Sequence, residues 1–380
     1  MNPSAFVDAL LRQGVGLVTG VPDSLLKELC TEIHAKLPAG QHCVATNEGA
    51  AVGMAIGHYL VTQKPAVVYM QNSGIGNIVN PIASLAAHAI YGIPMILIIG
   101  WRGEIDAHGK QCADEPQHVM QGKITPAQLD LLDIPHLVLD AHSDPDSVIQ
   151  CAWNQTLSSS KPFALLVRKN SFDKAESNTC SDMSVHMSRE TAIEQVLQTL
   201  PISIPVVSTT GMTSREVFEI RRKNHQSHAR DFLVVGGMGH ALAIATGIAQ
   251  ARPGQRVVCL DGDGALLMHT GSMALSANCT GLIHVVLNNE AHDSVGGQPT
   301  AAVGLPLVRL AASFGYSQTY RVTSVELLTQ ALQSALQSKH ACFIEVICKK
   351  GNRTDLGRPD RTPLQNRLEF QAFLQEVQYA

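Results

Sequence analysis

Residues 257–289, VVCLDGDGALLMHTGSMALSANCTGLIHVVLNN, contain two short apolar runs that each end in polar residues. Runs rich in Val, Leu and Ile without polar alternation are typical of strands buried on both faces of a parallel sheet. The segment between them is long enough for a helix. The stretch therefore predicts a strand-helix-strand unit with Asp263 and Asn289 at the same edge of a sheet.

The same alternation of strand and helix runs through the chain. Helical apolar spacing occurs at 24–36, 49–62 and 239–251. The expected strands are VGLVTG (15–20), HCVAT (42–46), AVVYM (66–70), PMILIIG (94–100), HLVLD (136–140), FALLV (163–167), PVVSTT (205–210), DFLVV (231–235), RVVCL (256–260), LIHVVL (282–287) and CFIEVI (342–347). This alternation predicts an α/β protein with two parallel, helix-covered sheets.

One polar segment interrupts the pattern. Residues 169–188, KNSFDKAESNTCSDMSVHMS, are rich in Ser and Asn and have no apolar period. Such composition is typical of a linker. We therefore expect domains at 1–168 and 189–380, each of a size common for α/β domains.

Composition favours a small-molecule substrate. The formal charge of −4 and the 16% of charged residues leave no basic face for nucleic acid or anionic lipid. The nine cysteines include no C-x-x-C pair, which indicates reduced thiols. The N-terminus looks like an amphipathic helix, and no 18-residue apolar run is present. We expect a cytoplasmic protein with no membrane or nucleic-acid partner.

The polar ends of the two strands suit a metal and a diphosphate. The carboxylate of Asp263, the amide oxygen of Asn289 and a nearby carbonyl form an oxygen set that Mg²⁺ prefers. Gly262 and Gly264 let the backbone approach phosphates, and a helix beginning near Ala265 points its amides at them. The alternative is an ordinary turn, because Asp-Gly and Asn-Asn favour turns.

This pairing resembles the thiamine diphosphate signature, Gly-Asp-Gly followed some two dozen residues later by Asn-Asn. The resemblance implies thiamine diphosphate with Mg²⁺ held by Asp263, Asn289 and the carbonyl of Ala291. Ser272 stands where many members carry Glu, and Ala291 where many carry Gly. Only a main-chain carbonyl is needed at 291, so metal binding is still expected.

The resemblance also implies an activating glutamate in the other domain. The segment HCVATNEGAAVGMAIG, 42–57, is similar to the pyrimidine-side motif of the family and supplies Glu48. In the family this Glu bonds a ring nitrogen of the aminopyrimidine. The alternative is a glutamate that merely favours a helix start. Because the family Glu usually reaches a cofactor bound by a partner chain, a homodimer or higher assembly is expected, with cofactor sites between chains.

Residues 231–247, DFLVVGGMGHALAIATG, imitate a dinucleotide-binding fingerprint. Leu242 stands where that fingerprint needs a final Gly or Ala, which argues against a nicotinamide-dependent oxidoreductase. By resemblance to the thiamine family, Met238 bends the cofactor and the Gly236 carbonyl accepts from its aminopyrimidine. The alternative is that Met238 fills a core.

The chain has a linker where many thiamine decarboxylases carry a third domain. The motifs that carry a closer resemblance are GVPDSLL at Gly20, MQNSGIGN at Met70, DEPQHVMQGKIT at Asp114, STTGMTSRE at Ser208, AHDSVGGQPT at Ala291 and KKGNRTDLGRP at Lys349. They resemble the phosphonopyruvate branch. This implies loss of CO₂ from 3-phosphonopyruvate to give phosphonoacetaldehyde. Sulfopyruvate decarboxylation and thiamine-dependent carboligation of a 2-keto acid are the alternatives.

Four residues are candidates for handling protons. Gln117-His118 resembles the His-His pair of related decarboxylases, and His292 and Asp293 follow the metal motif. Groups that titrate near neutrality suit proton transfer. The alternative for each histidine is a packed or surface residue.

Five residues are candidates for binding substrate, and Gln117 is one of them. Arg102, Arg353 and Arg358 have the side chain that binds a phosphonate dianion in a bidentate manner. Ser24 would place a helix N-terminus at the substrate. For each arginine an exposed surface position is the alternative.

Overall fold

The chain forms two compact units. The computed structural model describes residues 1–106, 108–174 and 186–376. The units are Met1–Thr179 and Cys180–Ala380. The expected domain boundaries at 168 and 189 stay predictions, and 175–185 of the expected linker lie outside the described residues.

Each unit contains a six-stranded parallel sheet. The strands are β1 Val18–Gly20, β2 His42–Val44, β3 Ala66–Gln71, β4 Met95–Gly100, β5 His136–Leu139, β6 Pro162–Val167, β7 Val206–Ser208, β8 Asp231–Leu233, β9 Val257–Gly262, β10 Leu282–Asn288, β11 Gln318–Val322 and β12 Cys342–Ile347. The strand orders are β2-β1-β3-β4-β6-β5 and β11-β12-β10-β9-β7-β8. Counted within its own unit, the second sheet has the order of the first read in reverse, so the two units share one topology.

Helices connect the strands. They are α1 Pro3–Arg12, α2 Lys27–Lys36, α3 Glu48–Thr62, α4 Ile75–Pro81, α5 Pro116–Leu131, α6 Pro145–Ser159, α7 Arg189–Thr199, α8 Met212–Lys223, α9 Ala241–Ala251, α10 Asp263–Met268, α11 Ser272–Ser276, α12 Leu307–Ser313, α13 Val325–Gln337 and α14 Pro363–Glu376. Short 3₁₀ or π segments lie at Asn72–Gly74, Ile82–Ala86 and Asp293–Val295. Among the described helices, none combines the length and apolar character needed to cross a membrane.

Both faces of each sheet are buried, as the unbroken apolar runs predict. In β4 the side chains of Ile96 and Ile98 join a core that includes α1, α2 and α6. Leu97 and Ile99 point to the opposite face and join a core with α3 and α4. The second unit likewise has two cores. The α/β class with two parallel sheets is confirmed.

One strand was missed by the sequence pattern. The sequence QTYRV of β11 (Gln318–Val322) is mostly polar and half-buried. It lies at the edge of the second sheet, beside β12. An edge strand needs no continuous apolar run, because only part of its surface faces the cores.

Two helix starts differ from expectation. The amide of Leu26 donates to the carbonyl of Asp23, so a turn precedes α2 and delays it to Lys27. In contrast, α10 begins at Asp263, directly after β9, rather than near Ala265.

The other edge of the second sheet is closed by α14. Asn366 is 5% exposed, and its Oδ1 accepts from the amide of Leu233 at 3.0 Å. Its Nδ2 donates to the carbonyl of Asp231 at 2.7 Å. Both partners belong to the edge strand β8, so a side chain takes the place of a neighbouring strand.

Asn366→Ala should lower the free energy of unfolding by about 2–3 kcal/mol, because it leaves two buried backbone groups without a partner. Urea denaturation followed by circular dichroism measures this. Gln371→Ala changes an exposed residue of the same helix and is the matched control. Equal midpoints for the two variants would show that Asn366 does not hold the edge.

Candidate active site

The register of two central strands brings the predicted metal residues to one edge of the second sheet. Leu287 of β10 pairs with Gly262 of β9. Asp263 is the next residue after β9, and Asn289 is the next residue after β10, which ends at Asn288. The ends of neighbouring parallel strands thus carry a carboxylate and an amide.

Asp263 is a buried carboxylate whose ionised form is unfavourable. Its side chain is nearly inaccessible, and its Oδ2 accepts a hydrogen bond from the Thr300 hydroxyl. Burial raises the pKa of Asp263 to about 6, an effect that the Thr300 bond opposes and Asp293 reinforces. A bound cation would offset this penalty, because it favours the charged form.

Asn289 and Ala291 follow β10, the strand that pairs with β9 in front of Asp263. The Oδ1 of Asn289 accepts from the amide of Ala291 at 3.2 Å. The Nδ2 of Asn289 donates to Oδ2 of Asp293 at 2.6 Å. Both Asn289 and Ala291 are buried. A carboxylate, an amide oxygen and a main-chain carbonyl are ligands that fit a hard divalent ion such as Mg²⁺.

The glycines of the motif have different surroundings. A Cβ at Gly264 would lie 2.9 Å from Cε1 of His292, so a side chain there would displace the imidazole. A Cβ at Gly262 would meet no atom within 4 Å, so that side of the turn is open. Ala265, two residues into α10, is buried. The predicted contacts of these residues with diphosphate stay predictions.

The loop that carries Gly236 and Met238 packs against α10. Gly239 has a φ of +86°, and a Cβ there would lie 3.1 Å from the carbonyl oxygen of Ala265 and 2.7 Å from Cδ2 of His269. Glycine is therefore needed for both conformation and space. Met238 is half-buried. The loop and Asp263 thus adjoin the same short helix.

His292 differs from the expectation of a group that titrates near neutrality. Burial lowers the pKa of His292 to about 4, although Asp293 opposes the shift. The imidazole is therefore neutral at pH 7 and can offer only a neutral N–H or an acceptor nitrogen. This makes it a weaker acid than the imidazolium that the sequence suggested.

In the first unit, Glu48 is a buried glutamate at a helix start. It is the first residue of α3, which is capped by Asn47. Its side chain is 5% exposed, and its Oε2 accepts from Nδ2 of Asn77 at 2.6 Å. Burial raises the pKa of Glu48, while the Asn77 bond opposes the shift. A Cβ at Gly74 would lie 2.5 Å from Oε1, so glycine there leaves room for the carboxyl.

Ser24 and Arg102 are brought together at the sheet edge of the first unit. Nη1 of Arg102 donates to Oγ of Ser24 at 2.9 Å. Nε and Nη2 of Arg102 grip the carboxylate of Asp114 at 2.8 and 2.5 Å. Burial alone would raise the pKa of Asp114, but Arg102 and two backbone amides hold it well below its usual range. The guanidinium is therefore fixed in orientation.

Gln117 and His118 lie in the first turn of α5, and their side-chain nitrogens are near each other. The two Nε2 atoms are 3.5 Å apart, and Nε2 of Gln117 also donates to Glu115 at 2.6 Å. His118 is buried. These contacts do not test whether either residue meets a substrate, so their roles stay predictions.

Arg353 has its charge matched by carboxylates. Its guanidinium forms ion pairs with Glu190 at 3.1 Å, with Asp355 at 3.1 Å and with Glu219. The nearby contact to Asp293 comes instead from the amide of Gly351. This arrangement favours the surface alternative over phosphonate binding. Arg358 also has a polar or electrostatic partner.

Several supporting residues were not predicted from the sequence. Asp114 is the first residue of one quoted motif, and Asn77, Glu216 and Thr300 are the last residues of three others. Their only sequence signal is a polar residue within a motif. Their partners are distant in sequence, so their functions follow from tertiary contacts.

Each unit thus contains a parallel sheet whose carboxyl-end edge carries candidate site residues. Residues 3–131 match the N-terminal TPP binding domain of thiamine pyrophosphate enzymes, and residues 207–346 match the C-terminal TPP binding domain. The chain belongs to the thiamine pyrophosphate enzyme family.

Its similarity to named relatives is more specific. It is 33% identical to the phosphonopyruvate decarboxylase of Streptomyces viridochromogenes, over 97% of this chain and 94% of that protein. It is 31% identical to the phosphonopyruvate decarboxylase of Streptomyces hygroscopicus, over 99% of this chain and 94% of that protein. The sulfopyruvate decarboxylase subunit alpha of Methanococcus maripaludis is 33% identical over 44% of this chain and 95% of that subunit.

Asp263→Asn should stabilise the metal-free protein at pH 7.5 by about 3 kcal/mol, because each tenfold change in proton affinity is worth about 1.4 kcal/mol. The folded pKa of Asp263, about 6, lies above the ordinary value of 3.8. The folded state therefore holds its proton more tightly, and this stability is lost as the pH rises through 6. Below about pH 4 the difference between variant and wild type should vanish.

Urea denaturation in a chelator from pH 4 to 8 measures this difference. Asp360→Asn, at an exposed carboxylate of the same unit, is the matched control. A gain that is independent of pH would contradict the assignment to the Asp263 charge.

Proposed function

We propose that this protein catalyses the thiamine diphosphate-dependent decarboxylation of 3-phosphonopyruvate to phosphonoacetaldehyde and CO₂. The observation that carries the proposal is the similarity to two phosphonopyruvate decarboxylases over nearly the whole length of both chains. The sulfopyruvate decarboxylase subunit matches less than half of this chain. A single chain with both thiamine domains is thus more like the phosphonopyruvate enzymes.

The reaction is non-oxidative and needs one proton. The bond between the keto carbon and the carboxylate breaks, the electron pair stays on the former keto carbon, and a proton replaces CO₂ there. Bound thiamine diphosphate supplies the nucleophilic carbon and the electron sink for this step. The protein must therefore bind the cofactor, orient the keto acid and deliver the proton.

Glu48 is the residue we assign to the aminopyrimidine. Its raised pKa lets the carboxyl hold or release a proton closer to neutral pH than an exposed glutamate would. Asn77 occupies Oε2. Gly74 has no Cβ and so leaves room for Oε1. The carboxyl is thus oriented to exchange a proton with a ring nitrogen, the role that the family resemblance implies.

Asp263, Asn289 and the carbonyl of Ala291 are the residues we assign to Mg²⁺. The buried carboxylate of Asp263 supports this assignment, because its side chain is bonded by a neutral hydroxyl rather than a cation and its pKa is raised. Gly262 and Gly264 would lie against the diphosphate. Holding the metal here would anchor the phosphates at the end of β9.

Ser24 and Arg102 are the residues we assign to the substrate phosphonate. Both are half-buried at the carboxyl-end edge of the first sheet, where ligands of open parallel sheets bind. Asp114 neutralises part of the Arg102 charge and holds the guanidinium plane. Ser24 and the exposed part of the guanidinium would then share the phosphonate oxygens.

CO₂ release should be fast with 3-phosphonopyruvate and at least about 100-fold slower with sulfopyruvate or pyruvate, each assayed separately with Mg²⁺ and thiamine diphosphate. Glu48→Gln should lower kcat by roughly 10²–10⁴, the usual contribution of acid–base catalysis, without loss of folding. Arg353→Met should leave kcat/KM within about threefold, since its charge is matched elsewhere.

Faster turnover of sulfopyruvate than of 3-phosphonopyruvate would contradict the proposed substrate and make sulfopyruvate the substrate instead. Cofactor binding without CO₂ release from any of the three acids would overturn the decarboxylase assignment, and products of carboligation would then be analysed.

A self-association surface is indicated by α3. The helix EGAAVGMAIGHYLVT is apolar on all sides, yet only its inner residues are buried. Gly53, Met54, Gly57, Leu60 and Val61 form an exposed stripe along its outer side. A helix that is apolar all round is normally buried. We infer that this stripe packs against a second copy of the chain, with Glu48 at the start of the same helix near the partner's cofactor.

Gly57→Glu should convert the dimer or higher assembly into monomers, with an association constant weaker by about tenfold or more in analytical ultracentrifugation. A Cβ at Gly57 meets no atom within 4 Å, and Glu favours helix more than Gly, so the fold should persist. Ile202→Glu, at a residue 82% exposed in the second unit, is the control. Unchanged assembly of Gly57→Glu would place the interface elsewhere.

Localisation is inferred from the thiols. The eight cysteines in the described part of the chain are all free. Free thiols without a disulfide framework are typical of a reducing compartment. We infer that the enzyme works in the cytoplasm.

A further inference from the structure

A buried network of charged residues, Arg189, Glu216 and Asp293, contacts the proposed metal ligand Asn289. Arg189, the first residue of α7, grips the carboxylate of Glu216 on α8 through Nε at 2.7 Å and Nη2 at 2.9 Å. Its remaining Nη1 donates to Oδ2 of Asp293 at 2.9 Å. The three side chains are 8%, 2% and 8% exposed. A single buried guanidinium thus joins two carboxylates.

Asp293 is the member of this network that contacts a proposed metal ligand. Its Oδ2 accepts from Nδ2 of Asn289 at 2.6 Å, in addition to the bond from Arg189. It also accepts from the backbone amide of Gly351 at 3.0 Å. Because β10 and β12 are neighbours, Asp293 ties together the segments that come after two adjacent strands.

This arrangement decides which end of the Asn289 amide faces the metal. A carboxylate can only accept hydrogen bonds, so the NH₂ group of Asn289 must face Asp293. The amide oxygen then faces the opposite side, where the N–H of Ala291 donates to it. A flipped amide would place two oxygens together at 2.6 Å and would present a nitrogen that cannot bind a cation.

We propose that Asp293 is a positioning residue for Asn289 and is held in place by Arg189 and Glu216. This network of three residues sets the affinity of the site for Mg²⁺. The proposal rests on the metal site of the proposed function. Asp293 then acts through Asn289 and does not transfer a proton to substrate, in contrast to the role considered from sequence. Partners of metal ligands commonly change metal affinity by about 10–100-fold.

The charges of the network and of Asp263 agree with this function. Glu216, Asp293 and Asp263 carry three negative charges, and Arg189 carries one positive charge. Two negative charges remain among these four groups, which favours the binding of a divalent cation. Arg189 thereby keeps a second carboxylate close to Asp263 without the full repulsion of like charges.

The test is direct measurement of Mg²⁺ binding. Isothermal titration calorimetry of the full chain with saturating thiamine diphosphate gives the Mg²⁺ dissociation constant without relying on turnover. Asp293→Asn removes the charge but keeps the shape, and an amide at 293 no longer forces the orientation of Asn289. Both Asp293→Asn and Arg189→Met should raise the dissociation constant by about 10–100-fold.

Arg221→Met is the matched control. Arg221 forms the same bidentate contact with Asp231, at 2.8 and 3.0 Å, in the same unit. This pair is also fully buried, and the remaining Nη1 of Arg221 donates to Gln226 rather than to Asp293. Its loss should reduce stability to urea as much as Arg189→Met does, yet leave the Mg²⁺ dissociation constant within about twofold.

Three outcomes would overturn the inference. The first is an unchanged Mg²⁺ affinity of Asp293→Asn while wild type binds normally. The second is an equal loss of affinity in Arg221→Met, which would show a general effect of stability. The third is a loss of kcat in Asp293→Asn at saturating Mg²⁺ with unchanged affinity, which would indicate proton transfer. Failure of wild type to bind Mg²⁺ with the cofactor would instead refute the proposed metal site.

Discussion

The hydrogen-bond register between β9 and β10 is the constraint on which the site depends. In parallel strands the backbone bonds are evenly spaced, so the pairing of Leu287 with Gly262 determines which residues leave the two strands side by side. A shift by one residue would also turn each buried side chain to the other face. Because the two cores enclose the sheet, such a shift is strongly disfavoured. Asp263 and Asn289 are therefore held together by packing that lies mostly outside the site.

The polar residues at these sheet edges reduce the stability of the fold, because charged groups are buried there. They are of two kinds. Glu48 and Asp263 are buried with raised pKa values, and each has a neutral hydrogen-bond donor rather than a cationic partner. Arg102 and Arg189, in contrast, are each gripped by a carboxylate in two places. The first kind of group stays available to a cofactor or metal, whereas the second kind fixes geometry. Apolar cores on both faces of each sheet supply the stability that these buried charges reduce.

Much of the fold followed from local pattern. Eleven apolar runs became strands because buried parallel strands have no polar side, while β11 escaped because an edge strand can be mostly polar. The candidate site was predicted less completely. The Gly-Asp-Gly and Asn-Asn pairs identified the carboxyl-end edge of the second sheet. Arg353 has the right chemistry for phosphonate, yet its carboxylate partners lie 163 residues upstream at Glu190 and on α8 at Glu219.

The sequence by itself determined the α/β class, because strand periodicity is a local property. Its motifs also resemble those of the thiamine enzyme family, to which the chain belongs. Only the tertiary structure decided which of the motif residues are supported and how. The contact of Asp293 with Arg189 and that of Glu48 with Asn77 join positions 104 and 29 residues apart. No local pattern encodes such pairs, because they form only where separate strands and helices pack against one another.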